Sequence, residues 1–472
     1  MTSPQTLAAG FPAATRADWL AQVERTLKGA PLESLTRRSL EGLPMSPLYD
    51  AAGLATAPAK AAQGWEIRSR VADAAPAAAN EAALADLAGG AESLLVRIDP
   101  TGAHGVAVGD ADGLARVLDG VLLDVAPVAL DAGFLGPRAA DWLGAAAKGA
   151  PAARLSLHLD PLSAYAIAGA SPGPIEAHLI ASANVAARLA QTYPRAELFL
   201  TSGRAVHEAG GGEAAELAFA AAAGVAYAKA LVRAGAPMAD ALAGVVLGVS
   251  LDADVIWGVA KLRAARRVWA RIADACGANP AARIEARSSR RMLTRADAWT
   301  NMIRLTAAAF AGAVGGADAL VLGAFTDALG PPTAFARRQA RNAQLVLREE
   351  AHLGRVVDPA AGSGALEALT EELAAAAWVK FQAIEAAGGA VKALEAGLVA
   401  GWAAEGRAEL ARRLADKDLR LLGVTDFPGD GGRAADVAPT SVVTPASAPP
   451  ARLPGPDSHC PVLTPIRLED LA

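Results

Sequence analysis

A (β/α)8 barrel carrying an N-terminal helical arm and C-terminal helices is the fold class this 472-residue sequence predicts. Three observations predict it. Eight short apolar runs recur at fairly even intervals, helical patterns fill the spaces between them, and several runs end together in polar or small residues. The runs are Ser93–Ile98, Val121–Val125, Arg154–Leu159, Glu197–Ser202, Gly244–Ser250, Ala282–Ser288, Ala319–Gly323 and Arg355–Asp358. Their ends include Asp99-Pro100, Asp160-Pro161, Ser202-Gly203, Ser288-Ser289 and Asp358-Pro359, which suits a barrel mouth and also ordinary turn chemistry. The length is too great for one minimal domain and fits one large barrel with appendages.

In chain order, residues 11–30 read as a helix with Thr15 as N-cap and Asp18 three residues on. Trp19, Leu20, Val23 and Leu27 form its apolar stripe. Pro31, Pro44 and Pro47 then mark an irregular arm to about residue 63, and the stripe lies back on its own domain or wraps around a partner. The barrel is assigned to residues 64–388. Within it Glu213–Ala234 and Glu371–Ala387 are alanine-rich tracts of high helix propensity. Residues 389–428 hold further helices. Residues 429–472 open with a Gly/Ala/Pro/Ser-rich stretch without periodicity and read as a flexible tail.

Composition narrows the function. Only 4% of residues are aromatic against 53% hydrophobic, so the core is built from small aliphatic side chains. A net charge of −5 without a basic face argues against nucleic acid as the main partner. No run of about 18 apolar residues reads as a membrane span, and Met1–Gly10 lacks the basic start of a secretory signal. Two cysteines, Cys276 and Cys460, are too few for a disulfide framework or a cysteine-rich metal site. A cytoplasmic location is expected.

The strand Glu197–Ser202, its polar loop through Gly210-Gly211-Gly212 and the helix after it form one βα unit. In such barrels chemistry sits on the loop after the strand. His207, beside Glu208, is the one histidine on that loop; His158 lies within a strand and reads as a core histidine. No two of the six histidines have metal-ligand spacing. Gly362-Ser363-Gly364 suits a phosphate cradle or a tight βα turn. No catalytic, cofactor-binding or metal-binding residue is assigned.

Four stretches together resemble the adenosylcobalamin-dependent acyl-CoA mutases of the methylmalonyl-CoA mutase kind. They are FPAATRADWLAQVERTLKG with EGLPMSPLY, the loop Ser202-Gly203-Arg204-Ala205-Val206-His207-Glu208, the long segment Ser288–Leu345, and the segment HLGRVVDPAAGSGALEALTEELA from His352. The resemblance implies a (β/α)8 barrel enclosing an acyl-CoA, with a cobalamin cofactor held across the mouth and radical chemistry that belongs to the cofactor. The departures from the family pattern are concentrated at that mouth. Arg204 and Ala205 stand where the family has Tyr-His, and alanine offers no donor to a thioester carbonyl. Gly64-Trp65-Glu66-Ile67-Arg68 lacks the tyrosine of the family's first-strand motif. Pro161–Gly173 replaces its substrate segment, and Ser288-Ser289-Arg290-Arg291 its Thr-Ser-Gly-Trp. Asp457-Ser458-His459 is similar to the start of a cobalamin motif, but Val462 replaces its glycine, so no complete cobalamin-binding domain is expected.

This pattern resembles the small, non-catalytic subunit type of that family. It implies a heterodimer with a catalytic large subunit that holds the acyl-CoA and the adenosylcobalamin, with no cofactor in this chain. The pair would interconvert (R)-methylmalonyl-CoA and succinyl-CoA. Two alternatives remain. One is the substrate-binding subunit of a split mutase that uses a separate cobalamin protein. The other is a binding protein whose rim residues Arg204, His207, Arg290 and Arg291 hold a different anion.

Overall fold

The structure is a computed structural model that describes residues 14–50, 60, 64–428, 434–441, 443–448 and 450–472. Eight parallel strands close a barrel: β1 (Glu66–Val71), β2 (Ser93–Arg97), β3 (Val128–Asp131), β4 (Leu155–Leu159), β5 (Glu197–Ser202), β6 (Val245–Leu251), β7 (Arg283–Ser288) and β8 (Ala319–Val321). Each pairs with the next in order, and β8 closes the ring on β1 through Ala319↔Glu66 and Leu320↔Ile67. Helices fill the outer shell, and the main core lies between them and the strands.

Two of the expected strands are corrected. Arg355–Asp358 is a bend, and the eighth strand is supplied by β1, at the N-terminal end of the barrel sequence. In β1, Ile67 and Val71 pack outward into the core while Arg68 faces the lumen, so the strand is charged where a strand pattern is usually read as apolar. Val121–Val125 is a turn, with Leu122 and Val125 72% and 74% exposed; the true strand, β3, begins after Pro127. A short apolar run does not distinguish the two.

The N-terminal helix spans Arg16–Leu27 and carries a full capping box: Asp18 accepts from the Thr15 N–H at 2.9 Å, and Thr15 Oγ1 accepts from the Asp18 N–H at 3.2 Å. None of its residues is buried. Trp19, Val23 and Leu27, one turn apart, are only partly covered.

The helix Glu213–Arg233 is the one described helix long and apolar enough to cross a membrane, yet it is largely buried within the barrel shell. It packs there against the helix Gly364–Ala386, which also covers Val255–Ala275. Ser363 caps the start of Gly364–Ala386, and Glu367 accepts from the Gly362 N–H. The Gly-Ser-Gly turn is therefore a helix cap with a carboxylate already seated on it, a poor cradle for phosphate. Helices Ala390–Glu395 and Leu398–Ala415 follow.

The segment expected to be a flexible tail is instead laid around the mouth. Its backbone N–H groups donate in turn to loops beyond β8 (Ala438 to Pro331 O, 2.9 Å), β2 (Ala446 to Pro100 O, 2.8 Å) and β4 (Leu453 to Pro172 O, 2.9 Å). Gly173, with φ +97°, permits this approach, since a Cβ there would stand 2.3 Å from Leu453 O. The Asp-Ser-His triplet is spent on the same docking. Asp457 accepts from the Gly173 N–H, Ser458 Oγ from the Ile175 N–H, and His459 pairs with Ala170. Leu463, 2% exposed, anchors the final stretch.

Candidate functional site at the barrel mouth

The lumen is filled by charged side chains. Arg68 of β1 donates to Glu285 of β7 at 2.6 Å and to Glu66 at 2.6 Å, and approaches Glu197 of β5 at 4.0 Å. Arg287 bridges Glu285 at 2.6 Å and Asp131 at 3.0 Å. His158 sits at φ +47° beside the irregular register between β4 and β5, and its Nε2 lies 3.2 Å from Glu197. Ser156 donates to the same carboxylate at 2.5 Å. Burial alone would raise Glu285 and Glu197. For Glu285 the charges of Arg287, His158 and Arg68 outweigh it; for Glu197 the His158 hydrogen bond and Arg68 do so, and both carboxyls are held well below their usual range. The network joins β1, β4, β5 and β7 through the middle of the barrel.

Above this plug, at the C-terminal ends of the strands, lies a cavity of about 540 Å³. Asp160, after β4, is pushed up to about 6 by burial, against hydrogen bonds from Tyr227 Oη (2.5 Å) and the Ser163 and Ser202 N–H groups. Glu208 is fixed by the Ser250 hydroxyl and the Arg290 and Arg291 N–H groups. A strap from the C-terminal segment closes one side: Ile466 N–H donates to Glu208 O at 2.8 Å, and Leu468 N–H to Arg291 O at 2.9 Å. Arg467 reaches the carbonyls of Arg290, Leu293 and Asp327.

Of the four rim groups singled out in the sequence, Arg204 and Arg290 line the cavity, with Ala205 beside them. His207 and Arg291 do not; both turn inward. His207, fully buried, meets Ser289 Oγ at 2.9 Å and Glu216 at 3.4 Å. Arg291 donates to His207 O and Gly211 O and pairs with Asp252. His207, Glu213 and Asp252 bring one ligand atom each within 4.8 Å of one another, a spacing a divalent ion could use. Lys261 pairs with the adjacent Glu216 at 2.7 Å and Arg291 with Asp252 at 3.3 Å, so cations of the chain itself already supply positive charge there. Burial raises Glu213 to about 7.

Sequence reading missed Arg97, Asp131, Arg287, Glu285 and the strap. Asp131 ends β3, so strand-end polarity would have revealed it had β3 been placed correctly; Arg97 lies within the run Ser93–Ile98, one residue before its end. Glu285 and Arg287 lie inside a run that reads as apolar only at alternate positions.

Fold and mouth together define a (β/α)8-barrel protein whose lumen is crossed by ion pairs and whose C-terminal face carries a cavity closed on one side by a strap. The chain belongs to the methylmalonyl-CoA mutase family, whose model matches residues 55–444. It is 40% identical over 475 residues to the methylmalonyl-CoA mutase small subunit of Streptomyces virginiae, covering 94% of this chain and 76% of that one. It is 33% identical to the small subunit of Propionibacterium freudenreichii subsp. shermanii, covering 92% and 72%. The methylmalonyl-CoA mutase of Escherichia coli (strain K12) is 30% identical, over 89% and 64%. A probable small subunit from Mycobacterium tuberculosis (strain ATCC 25618 / H37Rv) is matched over only 60% of its length, so coverage of the small-subunit relatives runs from 60% to 76%.

Proposed function

We propose that this chain is the small, non-catalytic subunit of a heterodimeric methylmalonyl-CoA mutase, supporting isomerisation of (R)-methylmalonyl-CoA to succinyl-CoA by a catalytic large subunit. The observation that carries the reading is the Arg68–Glu285–Arg287 plug with His158 and Glu197, which occupies the lumen an acyl-CoA would thread. Three further features support it. Ala205 has no donor for a thioester carbonyl. The strap occupies one side of the face across which a cobalamin would be held, a poor fit for that cofactor, and adenosylcobalamin is assigned to the large subunit. The small-subunit relatives align over most of this chain.

The uncovered stripe of the N-terminal helix, Trp19, Val23 and Leu27, is the surface assigned to the large subunit, together with the barrel sides. The test is mutase turnover with this chain alone, the large subunit alone and the co-expressed pair, each run on size exclusion. Silence of this chain alone, with one-to-one co-elution and restored turnover in the pair, is the expected result. Turnover by this chain alone, or with only a small cobalamin protein, would overturn the reading in favour of a split-mutase substrate subunit.

A further inference from the structure

The mouth cavity has a charge imbalance that the non-catalytic role does not explain. Its carboxylates are already engaged: Asp327 with Arg70 at 2.7 Å, Asp131 with Arg287, Asp470 with Arg295, Glu208 with backbone N–H groups, and Asp160 with Tyr227. Arg97, Arg204 and Arg290 line the same cavity, and among the described residues none of their guanidinium groups makes an ion pair or hydrogen bond. Arg290 stands at the exposed rim, while Arg97 and Arg204 are partly buried, and the Arg204 Nε is fully buried without a partner. Burial, and then the neighbouring Arg287 charge, pull Arg204 down to about 10 against the more distant carboxylates Glu208, Asp131 and Glu285, none of which it pairs with; burial also lowers Arg97 despite the nearby Asp131. Holding like charges together in a part-closed cavity is costly unless a counter-charge arrives.

Apolar side chains share the lining with these polar groups: Leu130, Leu200 and Val321 from the strands, and Ile466 from the strap. The volume lies in the range of small-molecule pockets, roughly 300–1,000 Å³. Guanidinium forks match carboxylate and phosphate oxygens in pairs. We propose that this cavity binds a small organic polyanion bearing carboxylate or phosphate groups, with Arg204 and Arg97 as its inner ligands, Arg290 at the entrance and the strap as one wall. The inference stands on the charge and shape of the cavity and holds whether or not the chain pairs with a mutase large subunit.

The test is thermal shift and calorimetric titration of the 472-residue chain with citrate, succinate, inorganic phosphate and pyrophosphate, against sodium chloride of matched ionic strength. At least one probe is expected to bind one-to-one and raise Tm by several degrees above the chloride control; the carboxylate and phosphate arms decide which group is recognised. Arg204→Met and Arg290→Ala are each expected to weaken that binding tenfold or more. Arg204→Met should also raise the Tm of the free protein, since it removes an uncompensated charge, and Arg290→Ala at the exposed rim leaves folding intact. Bound anion should slow hydrogen exchange at the Ile466 and Leu468 amides. No shift beyond the chloride control with any probe, or binding of unchanged affinity in both variants, overturns the proposal.

Discussion

Arg68 and Glu285 are 3% and 1% exposed and meet at 2.6 Å, so removing either takes one of its partners from a buried charge. Arg68→Met leaves Glu285 with Arg287, Glu197 with Arg283 and Glu66 with Arg154, so it should cost about 1–3 kcal/mol in urea denaturation, less than a buried charge left with no partner. The double variant Arg68→Met/Glu285→Leu should lose less than the sum of the two single variants, because the two side chains are in contact. Glu213 offers a second test. Burial raises its carboxyl from 4.5 to about 7, so its neutral form favours folding below pH 4.5, and that advantage is lost as pH rises towards 7. Glu213→Gln does not titrate there; its stability relative to the parent should climb between pH 4.5 and 7, by up to about 3 kcal/mol, and level off above. Urea midpoints across pH measure both slopes. Glu216, held at about 2 where the Lys261 and His207 charges outweigh burial, works in the opposite sense, its contribution fading as pH falls from 4.5 to 2. None of this was visible in the sequence. In the sequence Glu213 and Glu216 belong to an alanine-rich tract of high helix propensity, and only the fold places Lys261 of another helix against them.

At the level of elements, legibility followed local chemistry. The Thr15/Asp18 box and the span Glu197–Ser202 were read correctly because caps and an uninterrupted apolar strand are local signals. β1 escaped because its lumen side is charged, and β3 because the apolar run before Pro127 is more hydrophobic than the strand itself. The tail was the largest departure. Its Gly/Pro/Ala composition gives no periodicity, and what orders it is a series of backbone hydrogen bonds to loops far away in sequence. Gly173→Val should release that docking through both its φ of +97° and the clash with Leu453 O, seen as faster limited proteolysis between residues 434 and 464. The N-terminal helix behaves oppositely. With no buried residue, Trp19→Asp should change the stability of the isolated chain by less than about 0.5 kcal/mol. It should weaken co-elution with the large subunit at least tenfold, which size exclusion across a dilution series measures.

For the whole molecule, the family match runs along the barrel framework while the barrel centre is crossed by ion pairs. A lumen that would hold a substrate is occupied by charges that hold strands β1, β4, β5 and β7 to one another. That division explains how a chain can belong to the family by sequence over residues 55–444 and still present Ala205 and a covered mouth. The resemblance was legible because it is spread along the framework; the filled lumen was not, since the pairs that build it join residues up to 217 positions apart.

The strap also imposes an order on folding. Ile466 and Leu468 bond to loops that follow β5 and β7, so their docking site does not exist until those strands have paired. Bringing together segments more than 170 residues apart carries a chain-closure cost that a handful of bonds repays only against a finished surface. During synthesis the eight strands leave the ribosome before the strap is made, and the open mouth is the last part of the molecule to be covered. The amides of Ile466 and Leu468 therefore report when β5 and β7 have paired, since they gain protection only after both strands are in place.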